Sequence, residues 1–124
     1  MTPHFHANEL ACKCGCGMLP QQDFMDKVEA LRVAAGFAFP VTSAARCPTH
    51  NDRVSSTGYH GPHTTGRAID IGVDSGRAFI LIALAMKHGF SGIGVKQHGS
   101  GRFVHLDDLP IADGRLRPTI WSYP

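Results

Sequence analysis

Between residues 67 and 88 the chain leaves few options for how it folds. Ile69, Ile71 and Val73 fall on one side of an extended segment, with Ala68, Asp70 and Gly72 on the other. This two-residue period marks a half-buried strand and turns Asp70 away from its apolar side. Asp74 or Ser75 can then cap a helix over about residues 76–88, ended by Gly89. Its FILIALAM stretch is apolar nearly all round, which predicts deep burial. A strand with one apolar face, followed by an apolar helix, requires a sheet covered by helices on that face.

The rest of the chain supplies the remaining layers. Phe24, Val28, Leu31 and Ala35 recur at helical spacing, and Gly36 stands where a C-cap belongs. Pro40 and Val41 lead into a short strand ending near Ser43, and a brief helix is expected from Thr49. SSTGYHGPHTTG reads as a loop. GIGV and RFVHLD read as two strands joined by the KQHGSG turn, with Phe103, His105 and Asp107 on one face and Val104 and Leu106 on the other. Trp121, the only tryptophan, sits in a tail expected to form an edge strand or lid. The fold class read from these elements is α+β, a small, mainly antiparallel sheet with helices on one face and an open groove on the other. A doubly wound α/β fold is disfavoured, because no glycine-rich strand-to-helix turn is present.

With 124 residues and 43% hydrophobic residues, the chain matches a single domain (1–124) in which residues 1–20 form an irregular, cysteine-containing arm. A formal charge of +2 argues against a nucleic-acid partner. No apolar run is long enough for a membrane span, and MTPHFHANEL lacks the plan of a signal peptide, so the expectation is a monomer made in the cytoplasm, with no membrane insertion. Cys12, Cys14 and Cys16 lie two apart, a spacing that bridges poorly. The favoured reading is one disulfide from this cluster to Cys47, or none; the alternative is a second, structural zinc held by Cys12, Cys14, Cys16 and Cys47.

Eight histidines exceed ordinary structural need, and His63, Asp70 and His105 fall on or beside the strands where a site can open. Two histidines and a carboxylate are a catalytic zinc set with one position left for water, whose pKa the metal lowers from about 15.7 toward 7. By spacing alone, a lone histidine near a strand is more often a hydrogen-bonded structural residue.

HTTGRAIDIG (63–72) resembles the S-x-H-x-x-G-x-A-x-D signature of the zinc D-alanyl-D-alanine carboxypeptidases and related phage endolysins. FVHLD (103–107) resembles the second histidine motif of that family, and TSAARCPTHN (42–51) its S-G-Y-R-C-P-x-H-N element. FHANELACKCGCG and the C-terminal WSY are similar to the phage-encoded branch. The resemblance implies a fold like that of these peptidases and the hedgehog signalling domain. It also implies zinc ligands at His63, Asp70 and His105, a substrate-contacting catalytic role for Arg46, a tight turn at Gly66 and an uncrowded strand face at Ala68. The implied activity is a zinc metallopeptidase, of carboxypeptidase or endopeptidase type, that cuts peptidoglycan stem or cross-link peptides at the bacterial cell wall after release or delivery. The alternative is a non-catalytic zinc-containing module that binds peptidoglycan or a protein.

Three departures bear on this. The loop serine of the family is Gly61, and Pro62 precedes the first ligand. The acidic residue that many members place three positions before the last histidine is Arg102, which cannot accept a proton. Asp107 is then the leading base candidate, the other reading being that it orients a zinc-bound histidine. His98, also a candidate substrate contact, and His60 are further base candidates.

Overall fold

The computed structural model describes residues 1–124. In chain order the elements are α1 (Ala7–Leu10), α2 (Gln22–Ala35), β1 (Val41–Ser43), α3 (Pro48–Val54), β2 (Ala68–Ile71), α4 (Ser75–Lys87), β3 (Gly92–Lys96), β4 (Phe103–Asp107) and β5 (Thr119–Ser122). Two 3-10 turns, Gly58–His60 and Pro62–Thr65, lie within the segment read as loop. The strands form one sheet in the order β1-β2-β4-β3-β5, antiparallel except for the β3–β5 pair. The α+β expectation holds, and the tail forms the edge strand.

One face of the sheet carries Ile69, Ile71, Ile93, Val104 and Leu106 into a core completed by Phe24, Met25, Val28 and Leu31 of α2 and by Ala78, Leu81 and Ala85 of α4. Helix α2 follows its apolar stripe and ends where Gly36 takes the left-handed conformation at φ 75°, its N–H reaching the Arg32 carbonyl. The N-terminal segment is irregular apart from the single turn of α1, yet Phe5 and Leu10 are wholly buried in the same core.

Helix α4 departs from expectation. Only Ala78, Leu81 and Ala85 are buried, while Phe79 is 77% exposed and Met86 56%. A helix lying on a single sheet has one face to cover, and no further layer packs on the outside of α4. Helix α3 does not join this layer; it packs against the two 3-10 turns.

Candidate metal centre

The polar face of the sheet meets the loops at the middle of β2 and β4. Asp70 and His105 are directly opposed across this antiparallel pair, so their side chains rise together from one face. His63 comes from the second 3-10 turn, which Gly66 closes at φ 75°, as the resemblance implied. The turn is tied to the segment after β1, because the Arg46 amide donates to the His63 carbonyl at 3.2 Å. The three side chains are 7%, 9% and 2% exposed for His63, Asp70 and His105, so each must find partners within the protein.

Those partners define which ring nitrogen is free. His63 Nδ1 lies 2.7 Å from the Ala44 carbonyl. A carbonyl only accepts, so Nδ1 carries the hydrogen and the Nε2 lone pair points at Asp70 Oδ1, 3.2 Å away. His105 Nε2 lies 2.8 Å from Asp107 Oδ2. That carboxylate is held ionised by Arg117, so Nε2 donates to it, and His105 Nδ1 faces Asp70 Oδ1 at 3.0 Å. Burial pushes the Asp70 carboxyl up, but when the two rings are protonated the hydrogen bonds from His105 and His63 outweigh it and hold the group well below the carboxylate range; with the rings neutral, both lone pairs face Asp70 and are free for a metal.

This donor set fits a zinc ion. The three ligand atoms lie within 4.8 Å of one another. The 3.2 and 3.0 Å separations approach the edge of about 3.4 Å expected for a tetrahedron with bonds of about 2.1 Å. Each imidazole is also oriented from behind, one by a backbone carbonyl and one by a carboxylate, as zinc-bound histidines usually are.

Beside the three residues opens a cleft of about 620 Å³, lined among others by Arg46, Ser56, Thr57, Phe103, Trp121 and Tyr123. A second cavity of about 540 Å³, lined by His60, Arg115 and Arg117, shares Thr57, Pro62 and Trp121 with it, so the two adjoin. Arg46 Nη2 sits 3.6 Å from Asp70 Oδ2, and its buried Nε has no hydrogen-bond partner. The Trp121 and His105 rings lie 5.1 Å apart by centroid. Burial, together with the nearby Asp70 charge, pushes the Tyr123 phenol up to about 12, so it is a neutral donor at the cleft wall.

The remaining sequence candidates are placed unequally. Asp107 is wholly buried behind His105, outside the cleft lining, and also receives Arg117 Nε at 2.9 Å, Arg117 Nη2 at 2.8 Å and the Leu109 amide at 3.3 Å. Burial raises its pKa, and the His105 and Arg117 hydrogen bonds bring it down to about 2. His98 is exposed on the β3–β4 turn, with Nε2 3.3 Å from the Tyr123 carbonyl. Arg102 is exposed and donates to the Gly99 carbonyl. At Gly61 a Cβ would strike the Thr57 hydroxyl and the Asn51 amide, so Thr57 fills the space that a serine side chain needs there.

Arg117, the Ala44 carbonyl, Tyr123 and Gly92 escaped the sequence reading. Gly92 lies opposite Asp107, and a Cβ there would run into its carboxylate. No periodicity marks such positions, because each acts through a neighbour distant in sequence.

Comparison with curated proteins finds no match. A family model described as Peptidase M15 matches residues 3–107. That span holds all three candidate ligands and most of the sheet, and the chain belongs to this family of zinc metallopeptidases.

Proposed function

We propose that this chain hydrolyses peptide bonds in the stem or cross-link peptides of bacterial peptidoglycan, with zinc held by His63, Asp70 and His105. The observation that carries the reading is their convergence in a cleft whose lining also includes the partly buried Arg46. Zinc bound there supplies Lewis-acid polarisation and lowers the pKa of water. Arg46 brings a fixed positive charge to the cleft lining, suited to a substrate carboxylate or a developing oxyanion. Tyr123 is a neutral donor on the same wall, and Trp121 and Phe103 give the flat apolar surfaces that position a short peptide. Asp107 orients His105 rather than taking a proton, since all its visible partners are donors and none of its surface reaches the cleft. Of the other base candidates, His60 lines the adjoining cavity and His98 lies on the exposed β3–β4 turn.

The N-terminal and C-terminal similarities to the phage-encoded branch support a phage or prophage origin. No helix is long and apolar enough to cross a membrane. Action at the cell wall, after release or delivery by a partner, is part of the same reading.

The test is mass spectrometry of fragments released from sacculi with zinc, with chelator, and with Asp70→Ala. Release of new peptide termini only in the first condition is expected, and the termini identify the bond. A zinc-loaded chain that binds sacculi but releases nothing from any wall type supports the second reading, a binding module, which Arg102 at the usual acidic position favours.

A further inference from the structure

A second cluster of metal-binding side chains lies away from the cleft. The loop after α1 carries Cys12, Cys14 and Cys16, and turns back on itself through Gly15 and Gly17, both at positive φ. It is closed by hydrogen bonds from the Cys12 amide to the Met18 carbonyl and from the Gly15 amide to the Cys12 carbonyl. Cys47 enters from more than thirty residues away, immediately before α3. All four cysteines are thiols, and their sulfur atoms lie within 4.8 Å of one another. The disulfide from the cluster to Cys47, favoured on sequence, is not formed.

The spacing of these sulfurs is informative. Cys12 Sγ is 3.4 Å from Cys14 Sγ, and Cys14 Sγ is 3.6 Å from Cys47 Sγ. Both are far longer than the ~2.05 Å of a disulfide. Both approach the edge of about 3.8 Å that a tetrahedron of sulfurs takes around zinc at about 2.3 Å. Two of the sulfurs are already met by backbone donors, the Cys47 amide to Cys12 Sγ at 3.3 Å and the His50 amide to Cys47 Sγ at 3.5 Å. Amide donors of this kind stabilise sulfur in its anionic, metal-binding form. Four thiolates with no open position describe a structural rather than a catalytic ion, and a borderline-soft, redox-inert metal suits them best.

We propose that Cys12, Cys14, Cys16 and Cys47 bind one structural zinc ion that fastens the N-terminal loop to the segment carrying Arg46. The surrounding hydrogen bonds say what that fastening does. The Ala45 amide donates to the Leu10 carbonyl, Lys13 Nζ donates to the Thr42 carbonyl, and the Arg46 amide donates to the His63 carbonyl. Residues 44–47 thus present the Ala44 carbonyl to His63 on one side and Cys47 to the knuckle on the other. The knuckle is a buttress behind the cleft and takes no part in turnover.

The test uses the full-length chain purified under reducing conditions, with zinc measured by elemental analysis after dialysis. Two equivalents are expected for the wild type, and one for His63→Ala combined with Asp70→Ala. Replacing zinc by cobalt in that double variant should give an intense thiolate-to-cobalt charge-transfer band, which an aspartate–histidine site cannot produce. Cys14→Ser with Cys16→Ser should retain one equivalent and lose the band. Should the doubly serine-substituted chain fail to fold, the cobalt spectrum of the His63/Asp70 variant still decides the matter. A metal-free His63/Asp70 variant with no charge-transfer band overturns the proposal, as does intact-mass evidence of a disulfide to Cys47 in chain kept under reductant. Because that variant lacks the cleft ligands, these outcomes are separate from success or failure of the peptidase reading.

Discussion

The Asp107 carboxylate meets Arg117 twice and His105 once while showing no surface to solvent. Asp107→Asn keeps the shape but removes the charge, leaving the nearly buried Arg117 guanidinium without its ion pair and His105 without a strong preference for one tautomer. Zinc affinity is expected to fall by about 10- to 100-fold in a competitive chelator titration. Unchanged affinity would remove Asp107 from the orienting role. Arg46 makes the opposite prediction. Arg46→Lys retains the charge but loses the planar fork, so on the proposed reading kcat/KM for a cell-wall peptide substrate should drop by about a hundredfold or more while zinc content stays constant. Steady-state kinetics paired with metal analysis separates the two effects.

At the scale of the element, α4 shows how a helix with an apolar sequence can still be a surface helix. Its buried positions are Ala78, Leu81 and Ala85, spaced three and four apart, so one stripe faces the sheet, Ile82 and Leu84 pack at its margins, and Phe79, Ile80 and Met86 face outward. Leu81→Ala should therefore cost about 2–5 kcal/mol in chemical denaturation, by opening a cavity in the core. Phe79→Ser, two residues away, should change stability by no more than about 0.5 kcal/mol. Similar costs for both would mean that α4 is covered on both sides. The opposed pair of β2 and β4 is the complementary case: a single register decision places Asp70 beside His105, and a slip of one residue would turn one of them into the core.

Across the whole molecule, a charged network ties α2 to the end of the sheet. Asp108, just after β4, receives Arg67 Nε at 2.9 Å, Arg67 Nη2 at 2.7 Å and Lys27 Nζ at 3.0 Å, and Arg67 continues to Asp23 at the start of α2. Burial raises the Asp108 pKa, but the hydrogen bonds from Arg67 and Lys27 prevail and lower it below the ordinary carboxylate value. A depressed folded-state pKa contributes stability that is present above the unfolded value of about 3.9 and is lost as pH falls through the folded one. Asp108→Asn should thus cost about 2–4 kcal/mol at neutral pH, and the gap between variant and wild type should narrow steadily in acid. Urea denaturation of both chains from neutral pH down to strongly acidic pH checks this; a gap that does not change with pH would show that the network is not ionic.

Local periodicity was enough to predict α2, the alternation of β2 and β4, and hence the α+β class, because the apolar face of each element is written in neighbouring residues. His63, Asp70 and His105 were legible for a related reason: metal chemistry restricts the residue types, and short motifs preserve the turns that present them. The oriented tautomers, the placement of Asp107 behind His105 instead of in the cleft, and the clamp by Arg117 were not legible. Each depends on which strand lies beside which, and on how far a side chain reaches across a sheet whose order, β1-β2-β4-β3-β5, no local pattern encodes. The exposed side of α4 belongs to the same class, as does the choice between the two sequence readings of the cysteines, a disulfide to Cys47 or four free thiols brought together. Burial and convergence are properties of the packed chain, set when distant segments exclude water together, and only the tertiary structure decides them.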